Sequence, residues 1–252
     1  MLQTRVIPVL LIKERGLYKG VKFKKHKYVG DPINTVKIFN EKEVDELVII
    51  DISVTIENKE IDYELIKEIA SEAFMPLAYG GGIKTVDDAR KIFSLGIEKV
   101  ILNSEALNNP NLIDELSAEF GAQSIVFSLD VKKDFFGKQR VYSNCGTIKV
   151  KGTPSEIALK MEENGVGEII LNSIDREGIG NGYDLQLIKS ISSILKTPLI
   201  SLGGAASASH MIEAKNAGAH GLAAGTMFVF KGSLKGVLIT YLKESELNHI
   251  NQ

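Results

Sequence analysis

The chain has 252 residues, 44% of them apolar and 25% charged, with 30 lysines and arginines against 32 aspartates and glutamates, giving a formal net charge of −2. That length and balance suit one globular domain and exclude both a basic nucleic-acid-binding stripe and a polybasic membrane anchor. Cys145 is the single cysteine, which excludes an internal disulfide or a thiolate cluster, and the four histidines show no ligand spacing, so neither a metal nor a cofactor is expected.

At the N-terminus, Arg5 precedes an apolar run too short to cross a bilayer and without a cleavage site, so residues 5–12 read as the first buried strand of a soluble, cytoplasmic protein. A long loop follows, in which Lys19 and Lys22 are placed to close over an anionic ligand. It ends at Asp31-Pro32, a cap followed by proline at the first helical position. Apolar runs then alternate with amphipathic stretches to the end of the chain. Strands are expected at 46–52, 76–79, 99–102, 124–131, 167–172, 198–202 and 221–224. Helices are expected at 63–73, 85–95, 110–120, 154–164, 183–195, 207–217 and 234–243, with a capping box at Thr153-Pro154-Ser155-Glu156. Eight βα units in a chain of this length make a (β/α)8 TIM barrel, one domain over residues 1–252.

The barrel is written twice. Residues 76–104 recur as 198–226 at an offset of 122, which carries Pro76 to Pro198, Gly81 to Gly203, Gly82 to Gly204 and Ser104 to Thr226. Glu46 answers Glu168 at the same offset, and Leu11 answers Asp130 at 119, so two duplicated (βα)4 halves close one barrel. Each copy offers a glycine turn after a strand, where the backbone takes positive φ and comes close to a ligand. In the first copy Thr85 caps a helix with Asp87 and Asp88 in its first turn, which would collect free N–H groups near an anion. Gly81, Gly82, Asn103 and Ser104 form one cradle, and Gly203, Gly204, Gly225 and Thr226 the other. Paired glycines after strands are also what tight turns need, but their duplication points to a ligand with a phosphate at each end.

Strand C-termini carry the active site of such a barrel. Asp130 ends an apolar strand, where desolvation raises a carboxyl toward a pKa useful for acid or base work. The polar loop from Ser173 to Gly178, with Glu177, is placed as a lid or a second phosphate contact. At the opposite face Arg5, Glu46, Lys99 and Glu168 begin their strands, and would converge on the axis as a charged ring, either a plug or a gate.

Over almost its whole length the chain resembles the cyclase subunit of imidazole glycerol phosphate synthase. The resemblance rests on Arg5-Val6-Ile7-Pro8, Lys19-Gly20-Val21, Gly30-Asp31-Pro32, Gly80-Gly81-Gly82-Ile83, Ser173-Ile174-Asp175-Arg176 and Gly203-Gly204-Ala205. It implies that the glycine turns hold substrate phosphates, that Lys19 and Asp130 are catalytic, and that the four-residue ring gates ammonia from a glutaminase (HisH-like) partner. Two aspartates serve that family as acid and base. One matches Asp130, while the other falls on Leu11, and the family's Asp-Arg-Asp-Gly loop has Glu177 here. The chain therefore looks most like the paralogous branch found with surface-polysaccharide genes. Its implied role is amidation of a phosphorylated or nucleotide-linked sugar, together with a further amidotransferase protein. Cyclase activity in histidine biosynthesis and a silent ammonia-conducting scaffold are the alternatives.

Overall fold

The expected strands are runs of β-branched and leucine residues, and their side chains alternate between two apolar layers. In the computed structural model, which describes residues 3–232 and 234–252, eight of them form a closed parallel barrel. They are β1 (Arg5–Lys13), β2 (Leu47–Asp51), β3 (Leu77–Gly80), β4 (Lys99–Leu102), β5 (Ile125–Lys133), β6 (Glu168–Ser173), β7 (Leu199–Leu202) and β8 (Gly221–Ala224). Each pairs with the next, and β8 returns to β1 with Arg5 opposite Gly221 and Pro8 opposite Ala224. The expected TIM barrel of two halves is the observed fold.

Side chains pointing inward, among them Ile7, Val48, Ile101, Val126, Ile170 and Ile200, fill the barrel as one buried cluster. Those pointing outward join the apolar faces of the helices in a second, larger cluster that includes Phe39, Phe127 and Phe228. Burying each such side chain contributes roughly 1.5–3 kcal/mol. The helix starts follow the sequence signals. Asp31 accepts from the Asn34 amide at 2.8 Å, and Thr153 with Glu156 closes a reciprocal box around the helix Pro154–Glu163.

Two expectations are corrected. The N–H groups before the helix Val86–Ser94 are not left for an anion: the Asp88 carboxylate takes those of Lys84 at 3.1 Å and Thr85 at 2.9 Å. An acid at that position of a capping box satisfies the same donors a phosphate would need. The helix expected at 234–243 does not form either. Gly236–Val237 pairs as a short strand with Phe230–Lys231, residues 238–243 run without regular structure, and the last helix is Glu244–Asn251. The stretch holds Gly236 and the β-branched Val237, Ile239 and Thr240, poor helix formers. Tertiary bonds then hold it extended, Leu238 and Thr240 donating to the Val229 and Phe228 carbonyls and the Tyr241 hydroxyl to Val6.

Two loops carry added strands at matching places in the halves. After β1 the chain folds Gly16–Val21 and Lys24–Gly30 into a hairpin paired with the end of β1. After β5, Gln139–Ser143 pairs back on β5 and Ile148–Lys149 extends it. Their tips meet, with Phe23 packed beside Gly146, so both lie over the barrel mouth.

Candidate active site

A cavity of about 190 Å³ opens where the parallel strands end. Leu11, Asp51, Asp130 and Asn172 reach it from β1, β2, β5 and β6, Asn103 from just past the end of β4, and Lys19, Phe23 and His26 cover it from the first hairpin. Much of its wall is apolar, including Val9, Ile50 and Leu202.

Asp130 is buried at its centre. One carboxyl oxygen accepts from the Ser128 hydroxyl at 3.0 Å and from the Asn172 amide at 3.3 Å, leaving the other oxygen for a ligand. Burial pushes its pKa up to about 7, against the opposing pull of those two donors. A carboxyl at that value gives up or takes a proton near neutrality. Asn172 Oδ1 is buried without a partner. Asp51, less buried, has its Oδ1 accepting from the Ser53 amide and hydroxyl at 2.8 and 2.7 Å. Burial also pushes the Cys145 thiol up to about 11, so it is no ready thiolate.

The predicted cradles fall at two places. Gly81, Gly82, Asn103 and Ser104 border the main cavity. Gly178, Gly203, Gly204, Gly225 and Thr226 line a second, smaller cavity of about 10 Å³ beside Glu177, which borders both. The glycines are required by the protein's own packing as well as by any ligand. A Cβ on Gly81 would lie 2.4 Å from the Asp51 carbonyl oxygen, and one on Gly204 would lie 2.1 Å from that of Gly182. In the first cradle the Ser104 hydroxyl is already used, donating to Asn103 at 3.2 Å and accepting from the Asn144 amide at 2.9 Å. In the second, Thr226 Oγ1 is buried with no partner, as an atom awaiting a ligand would be.

Lys19 links the two cavities. It is buried, donates to the Val9 carbonyl at 3.1 Å, and lies so close to Gly225 that a Cβ there would collide with its ammonium. Burial lowers its pKa, and the nearby Glu177 carboxylate opposes that fall.

At the other end of the barrel the four predicted charges do converge. Arg5 bridges Glu46 and Glu168, while Lys99 Nζ reaches both Glu46 oxygens at 3.1 and 3.0 Å and Glu168 at 3.0 Å. Cation and anion alternate round the axis, and the carboxylates are nearly buried, so the ring is shut by its own ion pairs. Glu98 forms no ion pair with it among the described residues.

Sequence reasoning missed Ser128 and Asn172, the two residues that orient Asp130. Ser128 was legible, because residues two apart on a strand share a face. Asn172 was not, because only the β5–β6 register sets it opposite Asp130.

A model of the histidine biosynthesis protein family matches residues 5–235. A Pseudomonas aeruginosa protein provisionally named imidazole glycerol phosphate synthase subunit hisF2 is 51% identical over 249 residues, 98% of this chain and 99% of its own. A Vibrio vulnificus protein with the provisional name of subunit hisF3 is 49% identical over 248 residues, 98% of this chain and 95% of its own. The imidazole glycerol phosphate synthase subunit HisF of Exiguobacterium sibiricum is 39% identical over 230 residues, 90% of this chain and 91% of its own.

Proposed function

The chain belongs to the histidine biosynthesis protein family, and from that membership we propose that it is the ammonia-using synthase subunit of a glutamine amidotransferase complex. A glutaminase docks at the face of the Arg5, Glu46, Lys99 and Glu168 ring, and ammonia rises along the barrel axis to the cavity above. The acceptor there is the acetamido group of a nucleotide-linked sugar: its carbonyl oxygen is activated by a further amidotransferase protein and expelled, and the ammonia nitrogen takes its place to give an acetamidino group in surface-polysaccharide synthesis.

One observation carries the choice of acceptor. Leu11 lines the cavity with Asp130, so of the two positions of a cyclase's acid and base pair only that of Asp130 carries a carboxyl. Leucine moves no proton, and loss of one member of such a pair lowers rate by about 10²–10⁴-fold. A residual role for Asp130 is to hold or release one proton as ammonia adds, with Ser128 and Asn172 fixing its orientation.

The second reading, the cyclase step of histidine biosynthesis, is favoured by the pKa of about 7 to which burial raises Asp130 and by both glycine cradles. Purified complex with the glutaminase decides between them. Given glutamine and the imidazole glycerol phosphate synthase substrate, no turnover is expected. Given glutamine, a nucleotide-linked sugar and the further amidotransferase protein, amidated sugar is expected. Rapid turnover of the first substrate would restore the cyclase, and turnover of neither would leave a scaffold.

A further inference from the structure

The second hairpin, which follows β5, holds two aromatic rings out in water. Phe135 is 97% exposed and Phe136 83%, with their ring centres 5.5 Å apart. Single apolar residues on a surface are ordinary. This pair is contiguous, and it crowns a turn that is tied from within and from below. Asp134 Oδ1 accepts from the Phe136 and Lys138 amides, both at 3.0 Å, and its Oδ2 from Arg140 Nε at 2.9 Å. Gly137, with φ at 76°, closes the turn, its amide donating to the Asp134 carbonyl at 2.9 Å. At the base the Lys133 amide donates to Asp175, in the loop after β6, at 2.8 Å. Rings presented on a fixed turn lose little freedom when covered, so a partner gains most of what burying about 150–250 Å² on each provides.

The finger is also positive. From 132 to 151 the chain carries Lys132, Lys133, Lys138, Arg140, Lys149 and Lys151 against Asp134 alone, and Arg140 takes Asp134. Among the described residues, none of Lys133, Lys138, Lys149 and Lys151 has a carboxylate within 4.0 Å. An apolar tip flanked by unpaired cations fits a protein socket that is apolar within and rimmed by carboxylates.

Its position says what such a protein would do. Phe135 lies five residues past Asp130, on the order of 15 Å along the strand, so whatever takes the finger stands over the barrel mouth. Other exposed apolar side chains collect at that end, Ile148 on the same hairpin, Ile179 after β6, and Leu234 and Leu238 after β8. Ammonia that leaves the barrel into neutral water takes a proton and loses the lone pair it needs, so the mouth has to be covered while it reacts.

We infer that the second hairpin is the docking finger for the protein that activates the acceptor, which seats Phe135 and Phe136 in an apolar socket rimmed by acidic side chains and so caps the mouth. This rests on the amidotransferase reading of function, and the two can fail separately. A bilayer would also accept an apolar tip among lysines, but it has no means of activating a carbonyl oxygen.

The test is calorimetric titration of the purified further amidotransferase protein into the complex of this chain with its glutaminase. Phe135→Ser with Phe136→Ser should weaken that binding by about 100-fold or more and leave glutaminase affinity unchanged, since the glutaminase docks at the opposite face. Lys133→Glu with Lys138→Glu should weaken it by about tenfold or more and flatten its salt dependence. Leu159→Ser, an exposed apolar residue on an outer helix, is the control and should change nothing. No binding to wild type, or equal binding to wild type and the phenylalanine pair, overturns the inference; amidated sugar formed in that case leaves the functional reading standing. Binding that the pair abolishes, with no nucleotide-linked sugar amidated, does the reverse. Phosphatidylglycerol vesicles that sediment wild type and not the pair, with protein binding unmoved, would make the finger a lipid anchor and overturn the inference too.

Discussion

Replacing Asp130 with asparagine should make the protein more stable at alkaline pH. The carboxyl is buried, and its pKa stands at about 7 against an ordinary value of 3.8, a gap of about three pH units. A carboxyl whose folded pKa is raised binds its proton more tightly in the native than in the unfolded chain. Its favourable contribution is therefore whole below about pH 4 and is lost as pH rises through 7. At about 1.4 kcal/mol per unit the loss comes to about 4 kcal/mol by pH 8. Asparagine keeps an oxygen for the Ser128 and Asn172 donors and does not ionise. Every other titrating group is common to both proteins, so the difference between their urea-unfolding free energies isolates this one. Wild type and Asp130→Asn should be close at pH 4, and the variant should lead by about 4 kcal/mol at pH 8. Two curves that run parallel across that range would mean that Asp130 is ionised and solvated in the native state, and the acid or base role would go with it.

Other outcomes follow from the ring, the cavity and the turns. Lys99→Met removes a cation bonded to both Glu46 and Glu168. It should destabilise by about 3 kcal/mol, at the lower end for a broken buried pair because Arg5 still bridges the two carboxylates. In the glutaminase complex it should also lower glutamine-dependent product formation relative to ammonia-dependent formation, and an unchanged ratio would reduce the ring to a plug. Leu11→Asp puts a carboxyl at position 11 in the cavity that holds Asp130; measurable but low turnover of the imidazole glycerol phosphate synthase substrate is expected, and none at all would place the main departure in the loops. Gly204→Ala, with φ at 104° and the Gly182 carbonyl in the path of the new methyl, should cost about 3 kcal/mol or more in thermal unfolding. Gly137→Ala has positive φ but open space, so a loss of about 1 kcal/mol is expected there. Equal losses would show that strain and not packing sets the need for glycine at 204.

The two glycine cradles differ in chemistry although the chain writes them alike. Duplication preserved the backbone turns, which depend on local φ, while each cradle acquired its own surroundings. In the first, the Asn144 amide of the second hairpin has taken up the Ser104 hydroxyl. In the second, Thr226 Oγ1 is without a partner and Lys19 stands beside Gly225. The cavity that borders the first cradle brings Leu11 and Asp130 into one wall.

The sequence by itself determined the barrel, because its signals are local and repeated. Period-two strands, caps such as Asp31 and Thr153, and turn glycines each act over a few residues, and the offset of 122 between Glu46 and Glu168 fixes the halves without any coordinates. Strand order then sets which ends face the barrel mouth, and the structure puts Asp130 and the turn glycines at that end and the four charges at the other. Only the tertiary structure decided what surrounds them. That Asn172 lies opposite Asp130 follows from strand register, and the meeting of Phe23 with Gly146 follows from two hairpins more than a hundred residues apart. The segment 234–243, expected to be helical, is held extended by bonds to Val229, Phe228 and Val6. In each case the deciding interaction joins residues distant in sequence, where local propensity is worth a few tenths of a kilocalorie and a tertiary hydrogen bond about one.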